Sequence, residues 1–319
     1  MAGNAPVIGG AHGLGSGASA IGATGDMAFT RVQHFASVSS TNDVVRSWLA
    51  DGEPEICLAT ADEQTAGRGR RGRTWHAPAG AALLASLGFR PTWLAADRVW
   101  RLSATTALAM CDAAEETAGL RDGTVRLKWP NDLVIETSGP HANLVASATP
   151  DTDAADALDR LHGPIELRKL AGVLGETDGL GSESPRAVVG IGINVDWAAD
   201  EFPAELVGVM TSLREASGGR PVSARDLLDS FRDHVEARMH ALRAGFFDVA
   251  TWAERQVTTG HLVELGHPDN DAGSVAPVRA VAVDSASGAL VIEDPSREAG
   301  ERLVHAGEVR YVRLASSQV

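Results

Sequence analysis

From Phe29 onward the chain switches between the two-residue period of strands and the longer period of helices, which points to a mixed α and β protein. Residues 31–38 read as a strand. Ser40 and Thr41 can cap a helix that runs through Val44, Val45, Trp48 and Leu49. Residues 56–61 and 81–89 are short apolar strands, and residues 64–79 between them form a Gly/Arg loop with no helical period. Residues 95–119 read as a long helix with Val99, Leu102, Thr106, Ala109 and Met110 on one face. Residues 125–135 are strand-like but broken by Pro130, which has no N–H for a central ladder. Strands at 170–176 and 187–195 follow, then a helix at 224–244 with Leu227, Leu228, Phe231, Val235 and Met239 in register.

Three segments depart from this rhythm. Residues 1–26 are Gly/Ala-rich and hold neither the positive start nor the apolar stretch of a secretory signal, so they read as a flexible tail. Residues 136–168 are rich in Asp, Ala, Ser, Thr and Pro and read as a surface insertion, with a helical turn or two at 154–161. Beyond Gly260, short strands at 261–265, 278–283, 290–292 and 309–312 replace helices and suggest a small β-barrel. The expected division is 1–26 tail, 27–258 main domain and 259–319 small domain.

The 319 residues are 44% hydrophobic and 22% charged, as in ordinary globular proteins. No apolar run reaches the ~20 residues of a membrane span. Cys57 and Cys111 are too few for a disulfide framework and suit a reducing, cytoplasmic setting. The net charge is −14, which disfavours general nucleic-acid binding. Only Lys128 and Lys169 are lysine among the 28 basic residues; all others are arginine. A lysine retained on such a background suggests a need for a compact ammonium.

The strongest local signal is Gly67-Arg68-Gly69-Arg70-Arg71-Gly72-Arg73-Thr74-Trp75. Its glycines match G-x-G-x-x-G, but no helical pattern follows, as a dinucleotide fingerprint requires. Four arginines in six residues repel one another unless anions hold them. Such a loop can clamp phosphates through charge-assisted hydrogen bonds, bind RNA or be a solvated charge run. Lys128-Trp129-Pro130-Asn131-Asp132 joins a cation, an aromatic, a rigid turn and a carboxylate. Lys128 can meet a phosphate and Asp132 a magnesium ion, although a plain turn beside a buried Trp reads equally well. Lys169 opens an apolar strand and is either functional or an edge gatekeeper. Gly190 and Gly192 mark close approach of a ligand or backbone, or a bulge. No H-E-x-x-H or G-x-S-x-G is present. Cys57 and Cys111 read as inert core residues.

Taken together and in order, Ser40-Thr41-Asn42, Gln64, the 67–75 loop, Lys128 to Asp132, Lys169 to Glu176, Gly190 to Val195 and Arg302 to Val309 resemble the biotin protein ligases. That resemblance implies an α+β fold: a class II aminoacyl-tRNA synthetase-like mixed sheet with helices, plus a C-terminal SH3-like β-barrel. It implies ATP and Mg2+, biotin as substrate, and no tightly bound cofactor. It also implies transfer of biotin, through biotinyl-5′-AMP, to a lysine of the biotin carboxyl carrier domain of a carboxylase. The resemblance assigns biotin to Ser40, Thr41, Asn42, Gln64, Arg68, Gly69, Arg70 and Lys169. It assigns the nucleotide to Arg68, Arg70, Arg71, Arg73, Trp75, Lys128, Asn131 and Asn194. Lys169, Arg70, Lys128 and Asp132 are the catalytic candidates, with Asp132 also facing magnesium. Some members carry an N-terminal DNA-binding domain; the Gly/Ala tail here leads us to expect no DNA binding. Family members are monomers or dimers, which leaves a homodimer open. Rival readings are a lipoate or octanoate ligase or transferase, a non-catalytic biotin sensor and an RNA-binding protein.

Overall fold

The computed structural model describes residues 29–138, 165–266, 276–309 and 311–314. The 1–26 tail and the helical turn expected at 154–161 lie outside the described residues. Among the described residues no helix is long and apolar enough to cross a membrane.

The larger sheet contains β1 (Arg31–Val38), β2 (Cys57–Gln64), β3 (Ala82–Phe89), β4 (Val125–Lys128), β5 (Asp132–Ser138), β6 (Glu166–Asp178) and β7 (Arg186–Asn194). Their order is β1-β2-β3-β7-β6-β5-β4. Only β1 and β2 run parallel; the other neighbours are antiparallel. Residues 136–138 and 166–168, expected in the insertion, instead extend β5 and β6, because their backbones pair across the ladder.

Helix α1 (Thr41–Ala50) buries Val45, Trp48 and Leu49 against one face of this sheet, where they meet Cys57, Ala59 and Val188. The opposite face is covered by α2 (Trp100–Ala118) and, outside it, by a later helix (Ala224–Arg243). Helix α2 starts five residues later than its period suggests. Ala95 is extended at ψ 141 and a 3-10 turn, Ala96–Arg98, follows it. The helix stops at Gly119, whose φ of 61 suits a residue without Cβ. Two short helices had no legible period: α3 (Leu213–Ala216), capped by Ser212, precedes the long helix, which is α4, and α5 (Val249–Glu254), capped by Asp248, follows it. In α4, Leu227, Phe231, Val235 and Met239 form a stripe with no exposed surface, as their spacing requires.

A second, antiparallel sheet has the order β11-β10-β9-β8-β12. Its strands are β8 (Leu262–Gly266), β9 (Val278–Val283), β10 (Leu290–Glu293), β11 (Glu301–Val304) and β12 (Tyr311–Leu314). Strand β11 was not expected, and the last strand starts at residue 311 rather than 309 because a 3-10 turn, Ala306–Glu308, comes first. Trp129, from the turn between β4 and β5, belongs to the core of this second sheet with Val263, Leu265 and Ile292. Its Nε1 donates to the Gly288 carbonyl at 3.0 Å. The reading of a turn beside a buried tryptophan holds: Trp129 anchors the turn in the core of the second sheet.

Two glycines let side chains lie directly on the sheet. A Cβ at Gly190 would sit 2.1 Å from Asn42 Oδ1, and one at Gly192 would sit 2.7 Å from the Trp75 ring. Gly190→Ala should therefore lower stability by about 1–3 kcal/mol through overpacking. Urea unfolding checks this; an unchanged midpoint would mean that Asn42 does not rest on β7.

Candidate active site

The face of the sheet that carries α1 also carries a cavity of about 540 Å3. Its lining draws Ser40, Thr41 and Asn42 from the start of α1, Gln64 from the end of β2, and Arg68, Gly69, Arg70, Arg73 and Trp75 from the loop after it. Lys128, Asn131 and Asp132 come from the β4–β5 hairpin, and Lys169 from β6. Gly172, Gly190 and Gly192 line it from β6 and β7. Six cationic side chains line the cavity, Arg313 of β12 being the sixth, against one carboxylate, Asp132.

Lys169 reaches the cavity because β6 is irregular. Asp132 pairs with Gly172, but Val134 pairs with Lys169, so the register shifts by one residue between Leu133 and Val134. Strict alternation from Gly172 would send Leu170 to the cavity and Lys169 to the core. The bulge exchanges them: Leu170 is fully buried in the core, and Lys169 Nζ lies 2.7 Å from Asp132 Oδ1. The ammonium also sits 5.6 Å from the centre of the Trp75 ring. Lys128 lies directly across the ladder from Asp132. Burial pushes its ammonium below the ordinary lysine range, with Asp132 opposing and Lys169 adding to the shift. Burial and the neighbouring Arg71 likewise push Arg70 down, against Asp132.

Three of the biotin candidates, Thr41, Asn42 and Gln64, lie in one hydrogen-bonded row with Ser86. Gln64 Oε1 accepts from the Thr41 backbone N–H at 2.8 Å and from its hydroxyl at 3.0 Å. Ser86 Oγ lies 2.7 Å from Thr41 Oγ1 and donates to Asn42 Oδ1 at 2.6 Å. Asn42 Nδ2 then donates to Glu176 Oε2 at 2.7 Å. Because a carboxylate only accepts, Glu176 sets which end of the Asn42 amide faces Ser86.

The 67–75 loop is not a featureless flap. Trp75 N–H donates to the Gly67 carbonyl at 2.9 Å and Gly69 N–H to the Arg73 carbonyl at 2.6 Å, which makes a tight hairpin. A 3-10 turn, Arg70–Gly72, forms its tip, and Arg71 there has a φ of 55, a conformation that favours glycine. Arg68 grips Asp43 with both terminal nitrogens, at 2.7 and 2.8 Å. Arg70 donates to Asn131 Oδ1 at 3.2 Å and to the Ala306 carbonyl.

Two expected nucleotide residues are not in the lining. Arg71 points away and donates to the Gly307 carbonyl. Asn194 is buried and donates to the Thr211 carbonyl at 2.8 Å. Asp43, Glu176 and the 306–307 carbonyls are the site partners that the sequence reading missed. Cys57 and Cys111 are free, buried thiols; burial pushes Cys57 up to about 11 and Cys111 higher still, so neither offers a thiolate. Among the described residues, no group of three or more His, Cys, Asp or Glu side chains is gathered to hold a metal ion.

Comparison with known proteins places the chain in a family. The Bacillus spizizenii bifunctional ligase/repressor BirA is 31% identical over 181 residues, 57% of this chain and 45% of that protein. The chain thus matches somewhat under half the length of that relative. The Mycobacterium tuberculosis biotin–[acetyl-CoA-carboxylase] ligase is 27% identical over 235 residues, 73% of each chain. The fold is similar to that of the biotin protein ligase from Aquifex aeolicus solved in complex with biotin and ATP. The TM-score is 0.64 at 23% identity, covering 90% of this chain and 100% of that one. The model of the Biotin/lipoate A/B protein ligase family matches residues 34–194, just over half of the sequence, and the chain belongs to that family.

Proposed function

We propose that this chain is an ATP-dependent biotin–protein ligase that activates biotin as biotinyl-5′-AMP and passes it to a lysine of a carboxylase's biotin carboxyl carrier domain. The observation that carries this reading is the cavity lining: six cations against one carboxylate on a protein of net charge −14. A carboxylic acid and a triphosphate repel each other, and a cationic, partly enclosed site offsets that repulsion and holds the two in attacking geometry. A carboxylate oxygen of biotin attacks the α-phosphorus of ATP, and the bond to pyrophosphate breaks. The carrier lysine amine then attacks the acyl carbon, and AMP leaves. Both nucleophiles come from substrates, which accounts for a site without a serine or cysteine nucleophile.

In this reading Lys169 meets the biotin carboxylate and the attacked phosphoryl group. Lys128, Arg70 and Arg73 face phosphates, with Asn131 beside them. Trp75 packs on adenine; its indole N–H, buried against Gly192 of β7, has no hydrogen-bond partner among the described residues. Ser40, Thr41, Asn42, Gln64, Arg68 and Gly69 enclose the biotin rings. Asp132 is the lining carboxylate suited to Mg2+, which would enter with the triphosphate and neutralise part of its charge. A single carboxylate fits a substrate-borne ion rather than a resident one. Arg71 and Asn194 take no direct part in the arrangement described above. Residues 27–258 would form the catalytic domain, akin to class II aminoacyl-tRNA synthetases, and 259–319 an SH3-like barrel. The setting would be cytoplasmic.

Biotin-dependent exchange of labelled pyrophosphate into ATP tests the reading. Exchange driven by lipoate or octanoate instead of biotin would move the assignment within the family, and no exchange with any of these acids would refute it. Lys169→Ala should slow exchange by about a hundredfold or more; normal exchange would remove its role. Because Lys128 loses its proton at a lower pH than a solvated lysine, kcat/KM for ATP should fall on the alkaline side earlier than an ordinary lysine would dictate. Lys128→Arg, which stays charged, should shift that limb upward. An alkaline limb unmoved by the substitution would contradict the assignment.

A further inference from the structure

Arg68, Arg70 and Arg71 of the 67–75 hairpin each have a partner outside the cavity lining. Asp43 follows Asn42 directly in the first turn of α1. Its two oxygens take the two terminal nitrogens of Arg68, a planar bidentate pair that fixes direction as well as distance. Arg46, one turn along α1, donates to Asp43 and, at 2.7 Å, to Glu176 of β6. Arg68 lies 3.6 Å from the same Glu176. Glu176 in turn accepts from Asn42. Two carboxylates and two guanidiniums thus tie the hairpin to the row of hydroxyl and amide groups at the start of α1.

Gly67 and Gly69 flank Arg68 and supply no side chain to steady it. The guanidinium of Arg68 and the carboxylate of Asp43 are each about a third exposed, at 36% and 37%. A pair that exposed adds little to global stability. Its effect is local: it selects one orientation for a long, flexible side chain. Asp43 is also kept ionised, since the Arg68 hydrogen bonds hold its carboxyl down at about 2.

Resting on the ligase reading, we infer that Asp43, backed by Glu176, is a positioning residue that aims Arg68 at the acid-binding end of the cavity and orders the hairpin before substrate arrives. Neither carboxylate touches the reacting atoms. They set the geometry through Arg68 and Asn42.

The test uses the full chain with Asp43→Asn, which removes the charge at constant size, and Asp43→Glu, which keeps it. Hydrogen–deuterium exchange without ligand is followed across residues 67–75, and biotin-dependent pyrophosphate exchange is measured with biotin varied. Asp43→Asn should speed amide exchange in the hairpin and raise the KM for biotin about tenfold, with kcat changed less than about threefold. Asp43→Glu should return both readouts to within about threefold of wild type. The melting temperature of Asp43→Asn should stay within about 2 °C of wild type. Hairpin exchange or biotin KM left at the wild-type value in Asp43→Asn overturns the inference, as does a loss confined to kcat. A wild-type protein without biotin-dependent exchange overturns the ligase reading itself, and so separates the two failures.

Discussion

Like charges crowded into one hollow are the constraint around which the site is built. Six cationic side chains line a single cavity of a protein that is acidic overall. Their mutual repulsion and their burial disfavour the charged forms, and burial pushes both Lys128 and Arg70 down. The fold offsets this with oppositely charged or dipolar partners at the rim. Lys169 rests on Asp132, Arg68 on Asp43, and Arg70 and Arg71 on backbone carbonyls of the turn between β11 and β12. These contacts hold the cations in place; in the proposed reading the anionic substrates add to the neutralisation.

The larger sheet makes that arrangement possible through two departures from regular geometry. Glycines at 190 and 192 remove side chains where Asn42 and Trp75 must lie against the strands. The register shift in β6 turns Lys169 from the core face to the cavity face. The second sheet contributes beyond its own fold. Its core grips Trp129, which fixes the hairpin that presents Lys128 and Asp132, and its 306–307 turn meets the arginine hairpin.

Much of this could be read from the residues. The two lysines stood out because every other basic residue is arginine, and both line the cavity. The order of strands and long helices followed from hydrophobic period, which reports burial directly. Less legible were features that carry no residue signature. A one-residue bulge decides the face of Lys169, yet either register suits the same letters. Carbonyls of Ala306 and Gly307 accept from arginines regardless of side chain. Among 42 acidic residues, nothing local marks Asp43 and Glu176 as the partners of Arg68 and Arg46. Arg71 and Asn194 show the converse: adjacency to a motif does not put a side chain in its cavity.

The reading proposed here is that this cavity fuses a carboxylic acid to a nucleotide. Mass spectrometry of the purified protein incubated with biotin and ATP, without any carrier domain, tests it most directly. The account predicts biotinyl-5′-AMP that forms only when biotin and ATP are both present. Its absence, or pyrophosphate released without added biotin, would contradict the account.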